Sequence, residues 1–320
     1  MTQIKSELHH PYYAKYAFAF FAFMALLPLF EDRLIDAYYI GFTTRIMIFV
    51  VAAASLNLIL GFGGMVSFGH AAFLGVGAYA VGILMFHGVA SACISWPSSM
   101  VIGGLAALVI GAISLRTRGV YFIMITLAFA QMLYFVFVSS EQYGGDDGLP
   151  LPGRSTMPFG LNPNSNITYF YIVLLINAAV LFGMHRLTNS RFGRVLQGIR
   201  ENEDRMEAVG YAVFRYKLLA FVLAGALAGL AGALLANQNG MVSPSAMAWT
   251  QSGSLMIMVI LGGVGHIYGS VFGAALVLIL EEALSSYTVH WQLPMGIILL
   301  AVVLFAPNGV MSLLRPRSHD

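Results

Sequence analysis

Charged side chains divide this chain into long apolar stretches. With every Asp, Glu, Lys and Arg marked, charge-free runs remain at 16–30, 46–115, 119–140, 155–185, 218–280 and 283–314. A helix crossing the hydrocarbon core of a bilayer needs about 20 apolar residues, because the core is about 30 Å thick and a helix rises about 1.5 Å per residue. The run 46–115 therefore predicts three spans, divided near Gly63 and Gly64 and again near Ser95, Trp96 and Pro97. The run 218–280 predicts two or three, and each remaining run predicts one. The first run is short, but tilt and the interfacial Tyr12, Tyr13 and Lys15 could anchor it.

The charges between the runs set an orientation. Lys5 and Lys15 precede the first span and Arg315 and Arg317 follow the last. Cytoplasmic N- and C-termini require an even number of crossings. That favours ten, with three crossings in 218–280; eight crossings plus a re-entrant segment satisfy the same parity. Glu31, Asp32, Arg33 and Asp36 then lie outside, Arg116 and Arg118 inside, and Glu281 and Glu282 outside. The segment 140–166 carries Glu141, Asp146, Asp147 and Arg154 and reads as an outside, periplasmic loop. The segment 186–217 holds seven basic and four acidic residues and reads as inside. Arg45, near the outer end of the second span, departs from the pattern. The first apolar stretch ends in Leu27, Pro28, Leu29 and Phe30 without a small-residue cleavage site, so it reads as an uncleaved span.

Composition agrees. Only 9% of the 320 residues are charged, 59% are hydrophobic and mean hydropathy is +0.80. Soluble domains carry about 25% charged residues. A soluble enzyme, a disordered chain and a free nucleic-acid binder are excluded. The expected fold is an all-α polytopic membrane protein, one transmembrane domain over 1–320 with 8–10 spans and broken or re-entrant Gly-rich segments. The single Cys93 excludes an internal disulfide and a Cys-based metal cluster.

Many of the 34 glycines lie inside apolar runs. Gly265, Gly269 and Gly273 form two small-xxx-small steps, and Gly225 and Gly229 another, followed by Gly232. In lipid such faces let helices approach closely. They serve dense packing, or surfaces that slide in transport. Two Gly-rich stretches also resemble each other, 60–79 around His70 and 261–276 around His266. Transporters are often built from repeats whose broken helices line the substrate site. Coincidence among Gly, Ala and Leu is the other reading. A break frees backbone groups that must be buried in protein or face a water-filled path.

At this point the chain resembles a known family. The run Ser55-Leu56-Asn57-Leu58, then Gly61 to Phe73 and Gly75 to Tyr79, is similar to the signature of LivM/LivH-type permeases, the membrane subunits of branched-chain amino acid ABC importers. The similarity continues through Arg116 to Phe122, Gly144-Gly145-Asp146-Asp147-Gly148-Leu149, Ser190 to Arg194, Ile199 to Glu203, and Lys217 to Gly232. The Gly144–Leu149 loop looks more like LivM than LivH. The resemblance implies a partner permease subunit, two ATP-binding subunits and a periplasmic amino-acid-binding protein, in the bacterial inner membrane. Related permeases carry urea or short amides, so the cargo stays open between these and branched-chain amino acids.

No energy source is visible in the chain. A P-loop needs GxxxxGK[ST], and the three lysines, Lys5, Lys15 and Lys217, lie in no such loop. Glu281 and Glu282 are the sole candidate intramembrane acids for ion coupling, and read better as an interfacial solvated pair. A stand-alone carrier or channel remains the alternative of another class; an integral membrane enzyme lacks a catalytic constellation.

The segment 188–216 is the docking candidate for the ATPase. Asn189 and Ser190 can cap a helix, and Val195, Ile199, Met206 and Val209 could form an apolar stripe. Glu207-Ala208-Val209-Gly210 loosely resembles the coupling loop of importers, which marks Arg200, Glu203, Glu207, Ala208 and Gly210. A purely topogenic loop or contact with anionic lipid are the alternatives. Outside, Gly145, Asp146, Asp147 and Gly148 are expected to dock the binding protein, or to form a plain connector. Path candidates are polar groups in apolar runs: Asn57, Ser67, His70, Thr126, Gln131 and His266. Each could equally satisfy a neighbouring backbone group. Neither histidine has a partner at metal-ligand spacing, and no metal or cofactor is expected.

Overall fold

Apolar runs without charge fold as helices because only intrasegment hydrogen bonds satisfy a backbone in lipid. The computed structural model describes residues 21, 24–26, 28, 37–157, 162–288 and 290–305. Most of the first predicted span, the acidic loop 31–36, Pro158, and the terminal charges Lys5, Lys15, Arg315 and Arg317 lie outside the described residues.

The run 46–115 gives three helices as expected. They are α1 (Ala37–Asn57), prolonged by a π-helical turn Leu58–Phe62, α2 (His70–Phe86) and α3 (Ala92–Ser114). The first division falls at the Gly-rich segment. The second does not fall at Ser95–Pro97; it lies at 87–91, and Pro97 sits inside α3. Proline at the sixth residue of a helix removes an intrahelical bond, a loss that membrane helices tolerate where neighbouring groups re-satisfy the backbone.

Next come α4 (Val120–Val138), a two-residue strand β1 (Leu149–Pro150), α5 (Asn166–Asn189), and the short helices α6 (Arg191–Glu201) and α7 (Glu203–Ala208). The run 218–280 holds three helices: α8 (Val213–Asn239), α9 (Trp249–Gly262) and α10 (Gly269–Ser285). Strand β2 (Met241–Val242) lies between α8 and α9, and α11 (Gln292–Phe305) follows α10. Among the described residues, five helices are long and apolar enough to cross a membrane: α1 with its π turn, α3, α4, α5 and α8. Helices α2, α9, α10 and α11 are shorter. The all-α expectation needs one amendment, because β1 pairs antiparallel with β2.

Helix α1 is the buried axis, and α4 is the most exposed of the long helices. Glycines set how closely the others approach. A Cβ on Gly229 would stand 2.4 Å from Ser99 O, and one on Gly232 would stand 1.8 Å from Leu74 O. Thus the Gly225–Gly232 face of α8 packs backbone to backbone on α3 and α2. Gly269 and Gly273 do the same against α9, but Gly265 belongs to the α9–α10 turn and not to a helical face.

The two ends of the bundle differ in chemistry. At one end the segment 140–157 is tied down by β1–β2, by Leu151 N–H donating to Gly240 O at 2.9 Å, and by Ser155 N–H donating to Asn237 Oδ1 at 2.6 Å. Arg154 lies 4.6 Å over the Tyr169 ring and donates to Asn166 Oδ1 at 2.8 Å. At the other end lie the 115–119 turn, α6 and α7.

Candidate functional site

The two Gly-rich stretches meet in space. The π turn ends α1, so its last carbonyls need partners outside the helical ladder, and Ile59 O accepts from Met65 N–H at 2.9 Å. Asn57, just before that turn, donates from Nδ2 to His266 O at 2.8 Å, and its Oδ1 accepts from Gly265 N–H at 3.0 Å. Ser270 Oγ lies 3.5 Å from the same Nδ2. One buried amide therefore holds the α9–α10 turn against the end of α1. The contact needs glycine on both sides. A Cβ on Gly61 would stand 2.5 Å from Gly265 N, and Gly265 itself has φ of +84°.

Arg200, near the end of α6, closes this junction from the polar end. Its Nη1 donates to Gly61 O. A Cβ on Gly265 would stand 3.1 Å from that nitrogen, and one on Gly64 would stand 3.0 Å from Arg200 Cγ. A cation at the end of a helix satisfies its last carbonyls and complements its dipole. Arg200 thus couples α6 to both breaks at once.

Helices α6 and α7 fold for local reasons. Ser190 Oγ accepts from Gly193 N–H, and Asn202 Oδ1 accepts from Arg205 N–H at 2.8 Å, which caps each N-terminus. Helix α6 buries Gly193, Leu196 and Ile199. Met206 packs on Gly198, whereas Val209 is 68% exposed and falls off the predicted apolar stripe, because α7 ends at Ala208. Glu203 Oε2 accepts from Lys217 Nζ at 2.6 Å, and Arg118 faces Glu203, Asp204 and Glu207 at 3.3–3.8 Å. Of the predicted coupling residues, Arg200 and Glu203 are engaged within the chain. Glu207 is loosely paired, and Ala208 and Gly210 are exposed, Gly210 with φ of +96°. Arg186, Arg191, Arg194 and Arg215 are exposed on the same end.

His70 and Ser67 sit at the start of α2. His70 Nε2 lies 2.8 Å from Ser55 Oγ, whose proton goes to Ala52 O at 2.7 Å. Ser55 must then accept, so Nε2 carries the ring proton and Nδ1 is left as an acceptor. That Nδ1 is buried with no partner among the described residues. Ser67 Oγ accepts from Gly69 N–H, and Ser252 Oγ accepts from Ala71 N–H at 3.0 Å. Thr126 donates within its own helix to Ile123 O. Gln131 is half-buried on α4, apart from this group.

Asp146 and Asp147 are exposed at the tip of a turn built by Gly144, Gly145 and Gly148, all with positive φ. Gly148 N–H donates to Gly144 O at 3.1 Å, and a Cβ on Gly148 would stand 2.4 Å from Val242 O. The glycines are structural and the carboxylates are presented.

Two adjoining cavities that share lining residues open near this end. A cleft of about 250 Å3 is lined by Tyr38, Gly41, Phe42, Arg45, Gln238, Asn239 and Glu282. A chamber of about 620 Å3 shares Arg45 and Asn239, and adds Phe49, Leu235, Val242, Ser245 and Gln251 among others. Arg45 Nη2 lies 3.8 Å from Glu281 Oε1, and Tyr38 Oη donates to Glu282. Glu281 and Glu282 are therefore partnered by the chain, not merely solvated. None of the predicted path residues lines either cavity. A charge inside a membrane-crossing helix is a functional signal by default, and Arg45 lies within the span Tyr38–Phe62.

The family model for branched-chain amino acid transport system permease components matches residues 38–306. The high-affinity branched-chain amino acid transport system permease protein LivM of Salmonella typhimurium is 27% identical over 301 residues, covering 87% of this chain and 71% of that protein. The probable LivM of Methanocaldococcus jannaschii is 25% identical over 83% of this chain and 87% of its own length. The xylose transport system permease protein XylH of Escherichia coli is 34% identical, over 41% of this chain and 35% of its own.

Proposed function

Because the chain belongs to the family of branched-chain amino acid transport system permease components, we propose that it is the LivM-type subunit of an importer in a bacterial inner membrane. It passes branched-chain or related amino acids inward by alternating access. Separate ATP-binding subunits supply the work, a second homologous permease completes the path, and a periplasmic binding protein delivers cargo. The end bearing α6 and α7 faces the cytoplasm and docks an ATPase, and the 140–166 loop receives the binding protein.

The observation that carries this reading is the bond from Arg200 to Gly61 O. An amphipathic helix at a cytoplasmic surface is a form that fits a groove on a partner. Here that helix is also bonded to Gly61 at the broken end of α1, and its Arg200 lies against Gly265 in the α9–α10 turn. Movement of α6 by an ATPase would therefore displace the α1 and α9–α10 breaks together, as alternating access demands.

The test is reconstitution. The two permeases, the ATPases and the binding protein are placed in proteoliposomes and offered leucine, isoleucine, valine, urea and short amides. ATP-dependent uptake of branched-chain amino acids is expected. Uptake by this chain without any ATPase would establish a carrier instead.

A further inference from the structure

We infer that the double cavity at Arg45 binds a free α-amino acid with an apolar side chain; this rests on the importer reading and gives that reading a place in this chain. The arrangement supplies three different chemistries in adjoining spaces.

Arg45 lines both cavities. A guanidinium has five N–H donors, and its recorded ion pair, to Glu281, is long at 3.8 Å. Donors remain for a carboxylate, which a guanidinium can hold bidentately. The small cleft then offers acceptors. Glu282 contributes a carboxylate that receives one hydrogen bond, from Tyr38. An ammonium group, with three donors, can add to the hydrogen bonds that this carboxylate accepts.

The larger chamber is different. Phe49, Leu235 and Val242 give it an apolar wall, and Ser245 and Gln251 edge it. A ligand with its carboxylate on Arg45 and its ammonium in the cleft would lay its side chain against that wall. A lone anion leaves the acceptors of the cleft unused, and a lone cation meets Arg45. A zwitterion satisfies both.

The experiment uses the complete transporter in proteoliposomes with a diazirine analogue of leucine. After irradiation, labelled peptides of this chain are mapped with and without excess leucine. Leucine-protected label is expected on the segments around Phe49 and 235–245. Arg45→Ala and Glu282→Gln should each lower it about tenfold or more, the loss expected for one charge-assisted hydrogen bond. Ser245→Trp, which fills the chamber from an exposed position and touches no charge, should abolish it even if the Arg45 variant does not assemble. Protected label that falls elsewhere, or that is unchanged in these variants while leucine uptake continues, overturns the site and leaves the importer reading standing. No ATP-dependent uptake of any α-amino acid by the unaltered assembly overturns the reading and the site together.

Discussion

The Arg200 guanidinium donates to the carbonyl of Gly61, 139 residues earlier in the chain. The bond joins a surface helix to the broken end of the most buried one. Removing it should leave the bundle folded, because the α6 and α7 caps and the Leu196 and Ile199 contacts remain. Arg200→Ala is expected to lower leucine uptake per ATP hydrolysed by about tenfold or more, roughly the value of one hydrogen bond to a charged group. Parallel assays of uptake and hydrolysis check this; an unchanged ratio removes Arg200 from the coupling route.

Gly61→Ala should destabilise strongly. Its Cβ would stand 2.0 Å from Asn57 Oδ1 and 2.5 Å from Gly265 N, so the junction must open. A cost of about 1–3 kcal/mol is expected for overpacking of this kind. Gly183→Ala in α5 has nothing within 4 Å and should be neutral or gain up to about 1 kcal/mol. Thermal melting of the detergent-solubilised protein separates the two.

Asn57→Ala strands Gly265 N–H and removes one of two donors on His266 O, which also accepts from Gly269 N–H at 3.1 Å. Melting should fall by an amount equivalent to about 1–3 kcal/mol. A melting point equal to wild type would show that the α9–α10 turn is held by other contacts.

The two cations on Glu203 should differ. Lys217 is 13% exposed and 2.6 Å away, whereas Arg118 is 61% exposed and 3.4 Å away. Arg118→Ala should change stability by less than about 1 kcal/mol, as exposed pairs do. Lys217→Ala should cost more, and exchange of the two residues, Lys217→Glu with Glu203→Lys, should restore part of it. A double-mutant cycle measures the coupling.

Asp146→Asn together with Asp147→Asn should weaken binding-protein association and flatten its salt dependence, because rim charges act through long-range steering. The turn itself is glycine-built and should persist. Surface binding measurements at two ionic strengths are the check.

Charge spacing alone determined much of this protein. Runs long enough to cross a bilayer must be helical, since lipid satisfies no backbone group. Hence the helices of 37–114, 120–138, 166–189 and 213–285 were legible from the gaps between charges, and Ser190 was legible as a cap. The kinship of the two Gly-rich stretches was visible as a pattern. Their contact was not, because a lattice of glycines states only that something approaches closely, never what. Tertiary structure decided that Asn57 clasps Gly265 and His266, that Arg200 reaches Gly61, and that Arg45 meets Glu281 from 236 residues away. Arg45 departed from the orientation pattern because that pattern counts charges along the chain. The bundle satisfied it across the chain, where α1 and α10 bring opposite charges to one end.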